Sequence, residues 1–200
     1  MLLIGGGVAS VRCARTLRRH GFTGSITLLG DEPTPPYNRP PLSKELLRDD
    51  LPDELALAEP ETWYARRNVD LRLDTAVLEL DAGSRTATLA DGTRIAFDKC
   101  LIATGAEPRV ARIPGAERAL LLRTIEDSRA IRAAARPGTR AVVIGGGFIG
   151  VEVASSLATL GVKATVVELT PMLWSGSLGA ELAAWARESL EGVGVTVLTE

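Results

Sequence analysis

Two hundred residues with a net charge of −2 carry no basic footprint for nucleic acid and no acidic tail. No stretch approaches the ~20 consecutive apolar residues of a membrane-spanning helix, and 46% hydrophobic composition suits a packed soluble chain of one or two domains. The two cysteines, Cys13 and Cys100, form no C-x-x-C pattern, which argues against a disulfide framework or zinc site and for a reducing, cytoplasmic setting.

The chain opens with an apolar run, Leu2–Ile4, then Gly5-Gly-Gly7 and apolar residues at helical spacing up to Gly21. A second apolar run covers Ser25 to Leu29. Residues 31–60 hold a proline-rich segment, Pro33 to Lys44, followed by a polar helical stretch. Residues 69–102 alternate apolar and polar positions around turn signals at Asp81-Ala-Gly83 and Asp91-Gly92, a pattern that predicts a small antiparallel meander. Pro108, Pro114-Gly115 and Pro137-Gly138 surround one amphipathic helix near Glu126–Ala135, which reads as a connection. At Val142 the opening pattern returns: Val-Val-Ile, then Gly145-Gly-Gly147, helical spacing to Gly161, and a strand from Lys163 to Glu168. Val193–Leu198 reads as a third strand of this second unit. Strand, glycine turn, helix and strand are thus written twice, which predicts two parallel βαβ units in an α/β fold.

In such a unit the first glycine makes the tight turn and the second admits a dinucleotide pyrophosphate. The third position must be small so that helix and strand pack closely. Gly145, Gly147 and Gly150 satisfy all three places, whereas Gly5, Gly7 and Ser10 put serine in the third. Glu168 ends the next strand about 20 residues on, where a ribose hydroxyl acceptor belongs. A carboxylate there accepts from a free 2′-hydroxyl and repels a 2′-phosphate, and Leu169–Trp174 contains no arginine or lysine to hold that phosphate. NADH is therefore expected over NADPH. In the first unit the matching position is Asp31 or Glu32.

Together with Pro36-Tyr-Asn-Arg-Pro-Pro-Leu-Ser-Lys44, Trp63-Tyr64, Ala103-Thr-Gly-Ala-Glu-Pro-Arg109, Leu122-Arg-Thr124 with Asp127, and Gly145–Glu152, the chain resembles the FAD-dependent ferredoxin reductases. These serve rubredoxin, putidaredoxin and dioxygenase ferredoxins, and apoptosis-inducing factor is a relative. The resemblance implies that Gly5, Gly7, Ser10, Arg39, Ala103, Thr104 and Gly105 bind FAD. It implies that Gly145, Gly147, Phe148, Ile149, Gly150 and Glu168 bind NADH. Lys44 and Glu152 become the catalytic pair, with Lys44 beside the flavin ring and Glu152 keeping it charged and oriented. Residues 1–108 are then the first part of an FAD-binding domain, 109–138 a connection, and 139–200 an incomplete NAD-binding domain, with the C-terminal interface domain absent.

The implied activity is hydride transfer from NADH to FAD, with electrons passed on to a ferredoxin- or rubredoxin-type protein. Two alternatives stand beside it: a redox-sensing protein of apoptosis-inducing-factor type, or an inactive fragment. The family's Thr-Gly-Asp turn does not occur here, and Asn38 stands where aspartate is common. No cysteine lies between Cys13 and Cys100, so a dithiol mechanism beside the flavin is not expected. Both cysteines read as small packing residues, His20 as the end of the first helix, and Trp174 and Trp185 as packing residues of the second unit.

Overall fold

A computed structural model describes residues Met1–Glu200. In chain order, β1 (Leu2–Ile4) leads into α1 (Val8–Arg19) and β2 (Ile26–Leu29). A 3₁₀ turn (Pro40–Ser43) follows, then α2 (Glu45–Arg48), α3 (Asp53–Ala56) and α4 (Glu61–Arg66). Next come β3 (Val69–Arg72), β4 (Val77–Asp81), β5 (Thr86–Leu89), β6 (Arg94–Ala96) and β7 (Cys100–Ile102). After α5 (Ile125–Ala134) the second unit runs β8 (Arg140–Ile144), α6 (Phe148–Thr159), β9 (Lys163–Val167), α7 (Ala180–Gly192) and β10 (Thr196–Leu198). The α/β fold with two dinucleotide-type units and an inserted meander is the one the repeated pattern predicts.

The chain divides into two compact units: Met1–Asn38 with Glu54–Glu107, and Arg39–Asp53 with Pro108–Glu200. Residues 39–53 therefore pack with the second glycine unit, although in sequence they lie inside the first. The 109–138 stretch also belongs to the second compact unit.

In the first unit a parallel sheet has strand order β3-β2-β1-β7. Strands buried on both faces need apolar residues at successive positions, and β1 supplies Leu2, Leu3 and Ile4, all buried. Leu3 points to the side of Val11 and Ala14 of α1 and Tyr64 of α4. Leu2 and Ile4 point to the opposite face, which Ala87 and Leu89 of β5 cover. Each such leucine contributes about 2 kcal/mol by leaving water. The antiparallel meander contains β4-β5-β6 alone. Val69–Arg72 and Cys100–Ile102, which the alternation included in it, are parallel strands of the main sheet, pairing with β2 and β1. Over three or four residues, alternation is the same for an edge strand of either kind, so pairing decides.

In the second unit the parallel order is β10-β9-β8, the same 3-2-1 arrangement as in the first. Its core gathers Val153, Ala154 and Leu157 of α6, Val166 of β9, Ala186 and Leu190 of α7, and Leu47 of α2. Ala186 and Leu190 face this core and leave Trp185 60% exposed, so Trp185 is not the packing residue expected. The other face of β8 is open. Val142 and Ile144 are exposed there and, with Leu120, Leu121, Phe148 and Ile149, line an apolar hollow of about 820 Å³. No helix is long and apolar enough to cross a membrane.

Candidate functional site

In the first unit the carboxyl ends of β1 and β7 lie side by side, Ile4 opposite Ile102. Gly5 adopts φ +118°, and a Cβ there would stand 2.2 Å from the Ala103 carbonyl oxygen, so only glycine lets these two turns meet. Ala103 donates its N–H to the Ile4 carbonyl, and Gly105 turns the chain away at φ +78°. Gly5, Gly7, Ala103 and the start of α1 are thereby brought to one end of the sheet.

Gly7 is the N-cap of α1 and no side chain caps that helix. The first intrahelical bond is Val11 N–H to Gly7 O, which leaves the preceding amides for an external acceptor. Ser10 is fully buried beneath this turn, and its hydroxyl has no partner. After β2, Asp31 is exposed, while the Glu32 carboxylate accepts the Tyr37 hydroxyl at 2.5 Å.

The second unit repeats this design with tighter support. Gly145 donates to Val167 O, and Gly147 caps α6 without a side-chain bond. A Cβ on Gly147 would meet nothing within 4 Å, whereas one on Gly150 would meet Gly145 O at 2.0 Å. Gly147 therefore keeps a surface open, and Gly150 keeps the helix close to its strand. Glu168 stands beside the turn: its Oε2 accepts Gly146 N–H at 2.6 Å, and its Oε1 accepts the Thr170 amide and hydroxyl, each at 2.9 Å. Partial burial pushes this carboxyl's pKa up, but the bonds from Gly146 and Thr170 outweigh it and hold the group below its usual range. Phe148 is half exposed and stacks on Trp174 with ring centroids 5.3 Å apart.

Also within the second unit, Lys44 Nζ reaches Glu152 Oε2 at 2.9 Å. Lys44 lies between the 3₁₀ turn and α2, and Glu152 lies in α6, 108 residues later. Arg39 donates to the Arg123 carbonyl, just before α5. Thr124 and Asp127 close a capping box at the start of that helix, and Asp127 also accepts Arg123 N–H.

Sequence reading did not single out Ser43, Ser128, Ser156 or Thr170. Ser128 and Ser156 are buried on helices and donate to the Leu42 and Ser43 carbonyls at 2.8 and 2.7 Å. A serine within a helix carries no mark of a partner about a hundred residues away. Thr170 had a signal, since a hydroxyl residue two places after a strand-end acid often closes a local side-chain turn.

Cys13 on α1 and Cys100 on β7 are free and half-buried. Burial raises both thiol pKa values, the opposite of what a reactive thiolate requires.

Two parallel units with order 3-2-1, each opening a helix on an uncapped glycine turn, define a protein of the two-dinucleotide class. The chain belongs to the pyridine nucleotide-disulphide oxidoreductase family, which it matches over residues 1–200. It is 40% identical over 197 residues to the ferredoxin reductase component of chlorobenzene dioxygenase from Cupriavidus sp., covering 98% of this chain and 48% of that protein. It is 34% identical to a rubredoxin-NAD(+) reductase of Pseudomonas putida, covering 98% of this chain and 51% of that one. The structure superposes with a TM-score of 0.94 on a chain of the covalent putidaredoxin reductase–putidaredoxin complex, at 30% identity over 99% of this chain and 49% of the other. The chain spans about half the length of the curated relatives it matches.

Proposed function

We propose that this chain carries the FAD- and NADH-binding elements of a reductase that passes hydride from NADH to FAD and electrons on to a ferredoxin- or rubredoxin-type protein. The observation that supports it most directly is the Lys44–Glu152 ion pair at 2.9 Å. It joins the proline-rich segment to the second glycine helix, as the resemblance to ferredoxin reductases implies.

Both glycine turns suit a pyrophosphate. Gly7 and Gly147 have no atom within 4 Å of the position a Cβ would take, and the helices behind them end in uncapped amides. We assign Gly5, Gly7, Ser10, Arg39, Ala103, Thr104 and Gly105 to FAD, with Asp31 or Glu32 at its ribose. Gly145, Gly147, Phe148, Ile149, Gly150 and Glu168 are assigned to NADH.

FAD, when bound, supplies a two-electron acceptor for hydride that can release its electrons singly. Lys44 would place a positive charge beside that group, and Glu152 holds the ammonium in one place. Glu168, kept ionised by Gly146 and Thr170, accepts from a ribose hydroxyl and opposes a 2′-phosphate, which selects NADH over NADPH. The two free thiols fit a cytoplasmic setting.

An anaerobic visible spectrum of the FAD-loaded protein tests this. The flavin band should bleach on adding NADH and far less on adding NADPH. A band untouched by NADH would overturn the reading.

A further inference from the structure

The Lys44–Glu152 pair is not self-sufficient. The two side chains are 32% and 38% exposed. Two long, flexible groups at that exposure gain little from an ion pair and are held loosely by it, because water competes and several rotamers are open to each. Something else must fix the carboxylate.

Ser43 does so. It is buried, 4% exposed, and its hydroxyl lies 2.5 Å from Glu152 Oε2, the same oxygen that receives Lys44. The hydroxyl has one proton and a second acceptor, Pro40 O, at 3.4 Å; the shorter, charge-assisted bond to the carboxylate takes the proton. Serine has a single side-chain torsion to fix. Its backbone is anchored as well: Ser128 donates to Leu42 O, and Ser156 donates to Ser43 O. Both donors to Glu152 use Oε2, so Oε1 carries no protein hydrogen bond.

We propose that Ser43 is a positioning residue for the reductase reaction: by pinning Glu152 Oε2 it sets where the Lys44 ammonium stands. This rests on the proposed function, in which that ammonium serves the flavin.

The experiment compares wild type, Ser43→Ala and Lys44→Met by anaerobic stopped-flow reduction of bound FAD with NADH. Thermal melts, and NMR of the Lys44 ammonium in cofactor-free, ¹⁵N-lysine-labelled protein, run beside it. Ser43→Ala should slow flavin reduction about 10- to 100-fold, the scale of a misplaced catalytic group, at unchanged NADH affinity and with the fold retained in the melt. The Lys44 ammonium resonance should shift and broaden in that variant relative to wild type. A wild-type rate in Ser43→Ala overturns the inference, and so does a slower rate with the Lys44 signal unchanged. If Lys44→Met also reduces at the wild-type rate, the proposed function fails too. If only Lys44→Met is impaired, that reading stands and Ser43 has no part in it. Should no FAD bind, the function reading fails, and the ammonium signal alone decides whether Ser43 pins the pair.

Discussion

Glu168 Oε2 accepts the backbone N–H of Gly146 at 2.6 Å, so the strand-end acid is tied directly to the glycine turn. This carboxyl titrates below its ordinary range because the Gly146 and Thr170 bonds outweigh the effect of its burial. A depressed folded-state value means that its stabilisation is present above the unfolded value and lost as pH falls through the folded one. Thermal melts from pH 7 down to roughly pH 3 should show wild type losing an advantage over Glu168→Gln. Melting curves that stay parallel at all pH values would show that the bonds do not favour the charged form.

Gly147 and Gly150 should respond differently to alanine. At Gly150 the new methyl would press on Gly145 O, and overpacking of this kind costs about 1–3 kcal/mol. At Gly147, with φ −74° and open space, alanine is conformationally acceptable, so the fold should hold while NADH binding weakens. Denaturant unfolding and an NADH titration on both variants separate the two roles. Equal effects on stability would show that neither glycine is reserved for the ligand.

Ser10 buries a hydroxyl that has no partner. Removing an unsatisfied buried hydroxyl recovers about 1–2 kcal/mol of desolvation. Ser10→Ala should therefore unfold at higher urea concentration than wild type, with an unchanged m-value. A lower midpoint would reveal a bonded hydroxyl.

Arg18 ties the end of α1 to two turns through four carbonyls: Phe22, Gly24, Arg67 and Asn68, at 2.6 to 2.8 Å. Lysine cannot reproduce that planar fork. Arg18→Lys should cost about 1–3 kcal/mol, and amide exchange near Asn68 should quicken. Unaltered exchange there would mean that the turn holds itself.

The glycine turns were legible because their constraint is local. A tight turn, a close helix and an uncapped N-terminus each leave a mark within six residues, as Gly145–Gly150 shows. The Lys44–Glu152 pair was legible only through resemblance, since no spacing rule links residues 108 positions apart. Ser43 lay within the quoted proline-rich segment and still gave no sign of its partner. The meander is shorter than its alternation predicts because β3 and β7 alternate as its strands do, and only their pairing with β2 and β1 sets them apart.

By itself the sequence determined two βαβ units, their glycine turns, the acid after each second strand, and the absence of a dithiol pair between Cys13 and Cys100. Periodicity and turn chemistry act over short distances, so one dimension is enough to express them. Tertiary structure alone decided that residues 39–53 pack with the second glycine unit, that Ser128 and Ser156 hold that segment's carbonyls, and that Ser43 and Lys44 share one oxygen of Glu152. Those contacts join chain segments far apart in sequence, and only burial, which makes an unpaired polar group costly, brings them together.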